Sequence, residues 1–147
     1  YYIDSRDYRT IWSNAPGEYE HITCQGVYNT DDDPQPELLF CADGYLIVYD
    51  GRDQYEQWRS DQSNLTARQL LIDDVDGDGE KEIVLNDGYV FDARFFDLEW
   101  QSPEPFGERL GLLDMDEDGI LELIGEFQGR YLRVFDVDLR REKSLAR

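Results

Sequence analysis

The chain has 147 residues, enough for one ordinary domain and too few for a second independent core. Its 34 acidic against 14 basic side chains give a formal charge of −20, which repels phosphate backbones and anionic membrane surfaces and argues against nucleic acid as a partner. A hydrophobic fraction of 40% with 14% aromatics excludes a disordered acidic tail, and no apolar run approaches the roughly eighteen residues of a membrane span.

In chain order, "YYID" from Tyr1 and "YRTIWS" from Tyr8 read as two short strands, the remnant of an earlier unit over 1–16. The chain starts with neither a basic nor an apolar leader region, so it is read as processed or excised, its targeting signal unseen. A first full unit over 18–60 runs through "HITCQGVY" from His21, the acidic stretch "NTDDDPQPE" from Asn29 to Glu37, "LLF" from Leu38, "GYLIVYD" from Gly44 and a strand at Trp58. The second, over 66–102, repeats this with "ARQLLI", "DVDGDGEKE" from Asp74 to Glu82, "IVL", "GYVFDARFF" from Gly88 and a strand at Trp100. The third, over 107–145, has "ERLGLL", "DMDEDGILE" from Asp114 to Glu122, "LI", "GRYLRVFD" from Gly129 and a last strand with Ser144 in the tryptophan place. These segments alternate or are dense in β-branched and aromatic residues between turn formers, and nothing sustains a helical period.

The period is explicit. Asp4, Asp50, Asp92 and Asp136 stand 46, 42 and 44 residues apart, and the first three are each followed eight residues later by tryptophan: Trp12, Trp58 and Trp100. Four strands in about 44 residues form a meander of propeller-blade size. The expected fold is therefore all-β and β-propeller-like: three four-stranded antiparallel blades plus two strands of a preceding blade. An irregular β-sandwich is the alternative, but it has no reason to place an acidic cluster at the same point of successive units.

The acidic loops pose an electrostatic problem. Two like charges about 4 Å apart repel by about 4 kcal/mol at an effective dielectric near 20, so convergent carboxylates call for a cation. Oxygen-only donors without histidine or cysteine suit a hard ion, and calcium tolerates the six to eight oxygens a short loop supplies. Positions 1, 3, 5 and 9 offer carboxylates, Asp74, Asp76, Asp78 and Glu82 in one copy and Asp114, Asp116, Asp118 and Glu122 in the other. The backbone carbonyl of position 7, Glu80 or Ile120, completes the ring, and Gly79 or Gly119 permits the turn. The stretch from Asn29 is degenerate, with Asn29 at position 1 and Pro34 in the glycine place; Asp31, Asp33 and Glu37 make it a third candidate. An EF-hand is excluded because position 12 is Leu85 or Gly125 and strands flank the loop. A solvated acidic turn without metal is the plain alternative, and a filled carboxylate shell makes any ion structural rather than catalytic.

D-x-D-x-D-G-x-x-E followed by an apolar strand, repeating at this period with Phe106 and Gly107 ahead of the last loop, resembles the FG-GAP and VCBS repeats of integrin α-subunit propellers and bacterial extracellular proteins. The resemblance covers nearly the whole chain. It implies a calcium loop between the first and second strands of each blade and an extracellular, cell-surface or periplasmic setting. The chain lacks a GAP tripeptide after the second strand, and its ninth position is glutamate rather than aspartate, which places it nearer the VCBS-like group.

Folding the Asn29–Glu37 hairpin about Asp33 brings Cys24 and Cys41 within one residue of facing each other, so a cross-strand disulfide is expected, with a pair of buried thiols as the alternative. His21 stands without a nucleophile signature and is not read as catalytic. Asn64, in "NLT", matches a glycosylation acceptor. The tryptophans, with Tyr45, Tyr49, Tyr89 and Tyr131, are candidates for a carbohydrate- or protein-binding surface, though their repeat spacing favours packing between blades. The expected function is a non-catalytic, calcium-stabilised module of adhesion, recognition or assembly, with an accessory part of a secreted enzyme such as a polysaccharide lyase as the alternative. Three and a half units fall short of the four to eight blades of a closed ring, so another chain, another copy or a further part of the same protein is expected to cover the open ends.

Overall fold

The structure, a computed structural model, describes residues 1–31 and 33–143. The described residues form strands and turns with no helix, so none is long and apolar enough to cross a membrane. A hairpin of β1 (Tyr2–Ile3) and β2 (Thr10–Trp12) leads into three four-stranded antiparallel sheets, each a meander in chain order. The first sheet holds β3 (Ile22–Tyr28), β4 (Glu37–Ala42), β5 (Tyr45–Tyr49) and β6 (Glu56–Arg59). The second holds β7 (Leu70–Asp73), β8 (Glu82–Leu85), β9 (Tyr89–Asp92) and β10 (Leu98–Gln101). The third holds β11 (Arg109–Leu113), β12 (Glu122–Phe127), β13 (Tyr131–Asp136) and β14 (Arg141–Glu142).

The sheets pack face to face because their central strands are apolar on both sides. Leu39 and Cys41 of β4 join Ile83 and Leu85 of β8 in one core, while Phe40 and Ala42 face the hairpin. Val84 of β8 turns the other way, into a core with Phe106, Leu123 and Phe135. Such two-sided burial explains why "LLF" and "IVL" read as short continuous apolar runs rather than alternating ones. Each large side chain fully buried in this way contributes roughly 1.5–3 kcal/mol.

Tryptophan carries the packing from each unit to the next, as its spacing suggests. Trp12 lies 5.2 Å from Tyr49, Trp58 lies 6.2 Å from Phe91 and 4.9 Å from Phe96, and Trp100 lies 6.5 Å from Phe135 and 5.1 Å from Phe106. Tyr49, Phe91 and Phe135 are the residues immediately before the repeating aspartates. Ser144, the expected counterpart on the last sheet, lies outside the described residues.

The strand read from Gly88 to Phe96 ends at Asp92, and the reason is local. The Asp92 carboxylate accepts the backbone N–H groups of Arg94 and Phe95, and Phe96 takes a left-handed φ of 62°. Asp50 builds the same turn by accepting from Arg52 and Asp53, with Gln54 at φ 54°. Asp4 accepts from the Arg6 N–H. Such turns follow from the short carboxylate side chain, which reaches its own backbone two residues on. Asp136 differs, because its carboxylate meets Arg141 at 2.9 Å and Lys143 at 3.3 Å.

Each of the first three turns returns into a bulge. Tyr49 pairs with Glu56 and Val48 with Trp58, leaving Gln57 as the extra residue; Phe91 pairs with Leu98 and Val90 with Trp100, leaving Glu99. In the hairpin Ile11 is the extra residue. A bulge re-aims the side chain it carries.

Between sheets, Asn86 acts as a staple that the sequence does not announce. Its side-chain oxygen accepts from the Arg68 and Gln69 N–H groups, its amide donates to the Gly107 carbonyl, and its backbone carbonyl accepts from Phe106. The Phe106–Gly107 segment then lies so close to β12 that only glycine fits at 125, since a Cβ there would overlap the Phe106 carbonyl.

The expected disulfide is corrected by the structure. Cys24 and Cys41 are direct partners across β3 and β4, yet both are free thiols. They share a hydrogen bond that lowers the Cys24 thiol against the effect of burial and, with burial, pushes the Cys41 thiol far up. Register brings the sulfurs together, but closing the bond also requires an oxidant.

Phe91→Ala should lower the free energy of urea unfolding by about 3–5 kcal/mol, whereas Tyr55→Ala, at an exposed turn residue, should change it by less than about 1 kcal/mol.

Candidate metal centres

Each acidic loop joins the first strand of a sheet to the second, and all three are built on one hydrogen bond. The ninth-position glutamate is buried at the start of the second strand, and its carboxylate accepts the backbone N–H of position 2. Glu37 takes Thr30 at 2.6 Å, Glu82 takes Val75 at 2.8 Å and Glu122 takes Met115 at 2.7 Å. Their exposures are 1%, 1% and 4%.

In the two full copies the first aspartate holds the turn from inside. Asp74 accepts from Gly77 and Gly79, at 2.7 and 3.1 Å, and Asp114 accepts from Asp118 and Gly119, at 3.2 and 3.0 Å. Gly79 and Gly119 sit at φ 96° and 93°, a region that strains any residue with a Cβ. The position 7 residues, Glu80 and Ile120, donate their N–H groups to Asp78 and Asp118 at 2.8 and 2.9 Å. In the degenerate loop Asn29 donates its amide to the Asp33 carbonyl at 2.6 Å, and Asp33 donates its N–H to Asp31.

Among the described residues, four groups of carboxylates converge with oxygens within 4.8 Å of one another: Asp31, Asp33 and Glu37; Asp74, Asp76 and Asp78; Asp76, Glu82 and Glu99; and Asp114, Asp116 and Glu122. Each group could hold a metal ion, and its all-oxygen donors match a hard cation. The expected carboxylates fall into these groups except Asp118, with Asp74 and Asp78 in one group and Glu82 in another that shares Asp76; Asn29 serves the loop backbone instead, and the groups do not include the backbone carbonyls of Glu80 and Ile120.

Glu99 is a site residue that sequence reasoning missed. It is the bulge residue of β10, and it reaches the second loop from the fourth strand. Lys143, seven residues after Asp136 as Glu99 is seven after Asp92, was also missed. Its ammonium lies 2.6 Å from Asp116, 2.6 Å from Glu122 and 3.3 Å from Asp136. Aligning the repeats one residue ahead of the tryptophans would have found both.

The loops are neighbours. Ile120 packs on Gly77, where a Cβ would come within 2.8 Å of its side chain, and the Lys81 ammonium sits 5.8 Å from the centre of the Tyr28 ring while pairing with Asp73 at 3.1 Å. The electrostatics of the second and third loops differ. Burial, reinforced by Asp76, Glu99 and Asp78, pushes the Glu82 carboxyl up to about 8, and burial also raises Asp76 and Glu99. In the third loop the Lys143 ammonium instead holds Asp116 below its ordinary value.

Compared with known proteins, the chain matches no family model, no curated protein and no solved structure.

Glu82 gives the metal-free protein a distinctive pH dependence. An acid with a folded-state value of about 8, above its ordinary 4.5, binds more protons folded than unfolded. Stability from this group is therefore fully present below about 4.5 and falls as pH rises towards about 8. Urea unfolding of metal-free protein across that window should show the decline, and Glu82→Gln, which keeps an oxygen for the Val75 N–H, should flatten it.

Proposed function

We propose that the chain is a non-catalytic, calcium-stabilised segment of an extracellular β-propeller, acting in adhesion, recognition or assembly. Its sheets are the blades, and the acidic loops hold calcium between the first and second strands. The observation that carries the reading is the repeated loop itself, a buried glutamate closing onto position 2 beside converging aspartates at the same point of three successive sheets. Metal accounts for this crowding better than a solvated turn does, since buried like charges are otherwise strongly unfavourable.

The stacking of sheets supports the assembly part of the proposal. The central strands of the first and second sheets are covered on both faces, while Ile3 and Ile11 of the hairpin and Leu113 and Leu132 of the third sheet are exposed, as are Ile22 and Val27 on the edge strand of the first sheet. Another copy, another chain or a further part of the same protein covers them.

Calorimetric melting separates the loop reading from a solvated turn. With free calcium at about 100 times its dissociation constant, each occupied site adds about 2.7 kcal/mol, so exchange into excess EDTA should lower the melting temperature by several degrees. An unchanged melting curve would refute the metal role. Sedimentation over a hundredfold range of concentration should reveal self-association; a lone monomer throughout, with no co-purifying partner, would refute the assembly role.

A further inference from the structure

The three loops share a backbone but differ at one side chain supplied by the fourth strand. Counting seven residues on from Asp50, Asp92 and Asp136, the aspartates of the three sheets, gives Gln57, Glu99 and Lys143. The first two are the extra residues of equivalent bulges, and Lys143 follows Glu142, which pairs with Phe135 as Leu98 pairs with Phe91. The same backbone position thus carries a neutral amide, an anion and a cation.

Their surroundings differ accordingly. In the first sheet Gln57 and Glu37 each keep one buried side-chain oxygen without a partner among the described residues, and Glu37 is 1% exposed. In the second, Glu99 adds a carboxylate to Asp76 and Glu82. In the third, the Lys143 ammonium bridges Asp116 and Glu122, each at 2.6 Å, and Asp136 at 3.3 Å. Two of those three carboxylates belong to the cluster that would otherwise converge on a metal.

We infer that Lys143 is a tethered cation that takes the place of divalent metal in the Asp114–Glu122 loop, so that the three loops differ in calcium affinity through the residue the fourth strand contributes. The inference rests on the proposed calcium role and deepens it. A primary ammonium and a calcium ion compete for the Asp116 and Glu122 oxygens, because calcium coordinated at 2.3–2.6 Å to oxygens that already accept from the Lys143 ammonium would stand only about 4 Å from it, where like charges repel strongly. Calcium must therefore expel the lysine, and its apparent affinity falls by the cost of doing so. In the Asp74–Glu82 loop no cation among the described residues bonds Asp76 or Glu82 as Lys143 bonds Asp116 and Glu122, and Glu99 adds a further anion.

Calcium titration calorimetry on the metal-free full chain tests this. Wild-type protein should bind tightly at the second loop, binding that Asp76→Asn removes, and at least tenfold more weakly at the third. Lys143→Gln should strengthen the third site at least tenfold, and adding Asp116→Asn should abolish the gain. Lys143→Gln should also lower the melting temperature in EDTA while calcium restores it, a rescue that a purely structural lysine would not show. Identical isotherms for wild type and Lys143→Gln, with the second loop binding normally, would overturn this inference alone. No calcium binding by either protein would overturn it together with the reading it rests on.

A measurement on the unaltered chain guards against a variant that fails to fold. The chain has two lysines, Lys81 and Lys143. Limited acylation of metal-free protein, followed by peptide mapping, should modify Lys143 several-fold more slowly than Lys81. Equal rates would overturn the inference.

Discussion

The hydrogen bond from the second loop residue to the ninth-position glutamate governs both the geometry and the charge of each unit. It ties the end of the first strand to the beginning of the second, and so sets the register of the hairpin that carries the loop. It also requires a carboxylate to be buried at the root of a turn already crowded with aspartates. Glu82 shows the consequence, since burial and its acidic neighbours push its proton affinity far above that of a free side chain. The geometry that closes the loop thus creates the demand for positive charge beside it, and in the third loop the chain meets that demand with its own lysine.

Stacking depends on a second repeated constraint. A sheet with an apolar strand at its centre has two faces to cover, and each tryptophan covers part of one by reaching the aromatic residue that precedes the next aspartate. At Asp50 and Asp92 the carboxylate then turns the chain by accepting its own backbone N–H groups two and three residues ahead, whereas Asp136 pairs with Arg141 and Lys143. Packing and turn are therefore written in adjacent residues, which explains why the period of the sequence is so regular. Asn86 extends the same economy to the connection between sheets, where one side chain serves three backbone groups.

What could be read in the sequence was whatever repeats or whatever a single loop dictates. Asp4, Asp50 and Asp92 with their tryptophans gave the units, and the aspartate spacing gave three of the four carboxylate groups. Strand ends were less legible: a run such as "GYVFDARFF" keeps its aromatic character through a turn, and only the Asp92 side chain marks the break. Glu99 and Lys143 escaped because they lie 17 and 21 residues beyond the last acidic residue of their loops. They reach the loops through strand pairing and a bulge, neither of which is a local pattern. The cysteines show a different limit. Their pairing across the hairpin came from counting, but whether two facing thiols are joined depends on redox conditions that no register encodes.

The bulge also explains how units so alike in packing can be so unlike in charge. A residue within a ladder is constrained by its cross-strand partner and by the face it presents to the next sheet. The extra residue of a bulge has no partner opposite, and here it stands beside the tryptophan rather than within the stacked core. Isoleucine, glutamine and glutamate all occupy that extra position, and lysine stands at its counterpart in the third sheet, without altering the strands around it. The fold thus separates two tasks within nine residues, from Asp50 to Trp58 or from Asp92 to Trp100. The aspartate–tryptophan frame keeps the sheets stacked, and the unpaired position between them is free to set the electrostatics of the loop it faces.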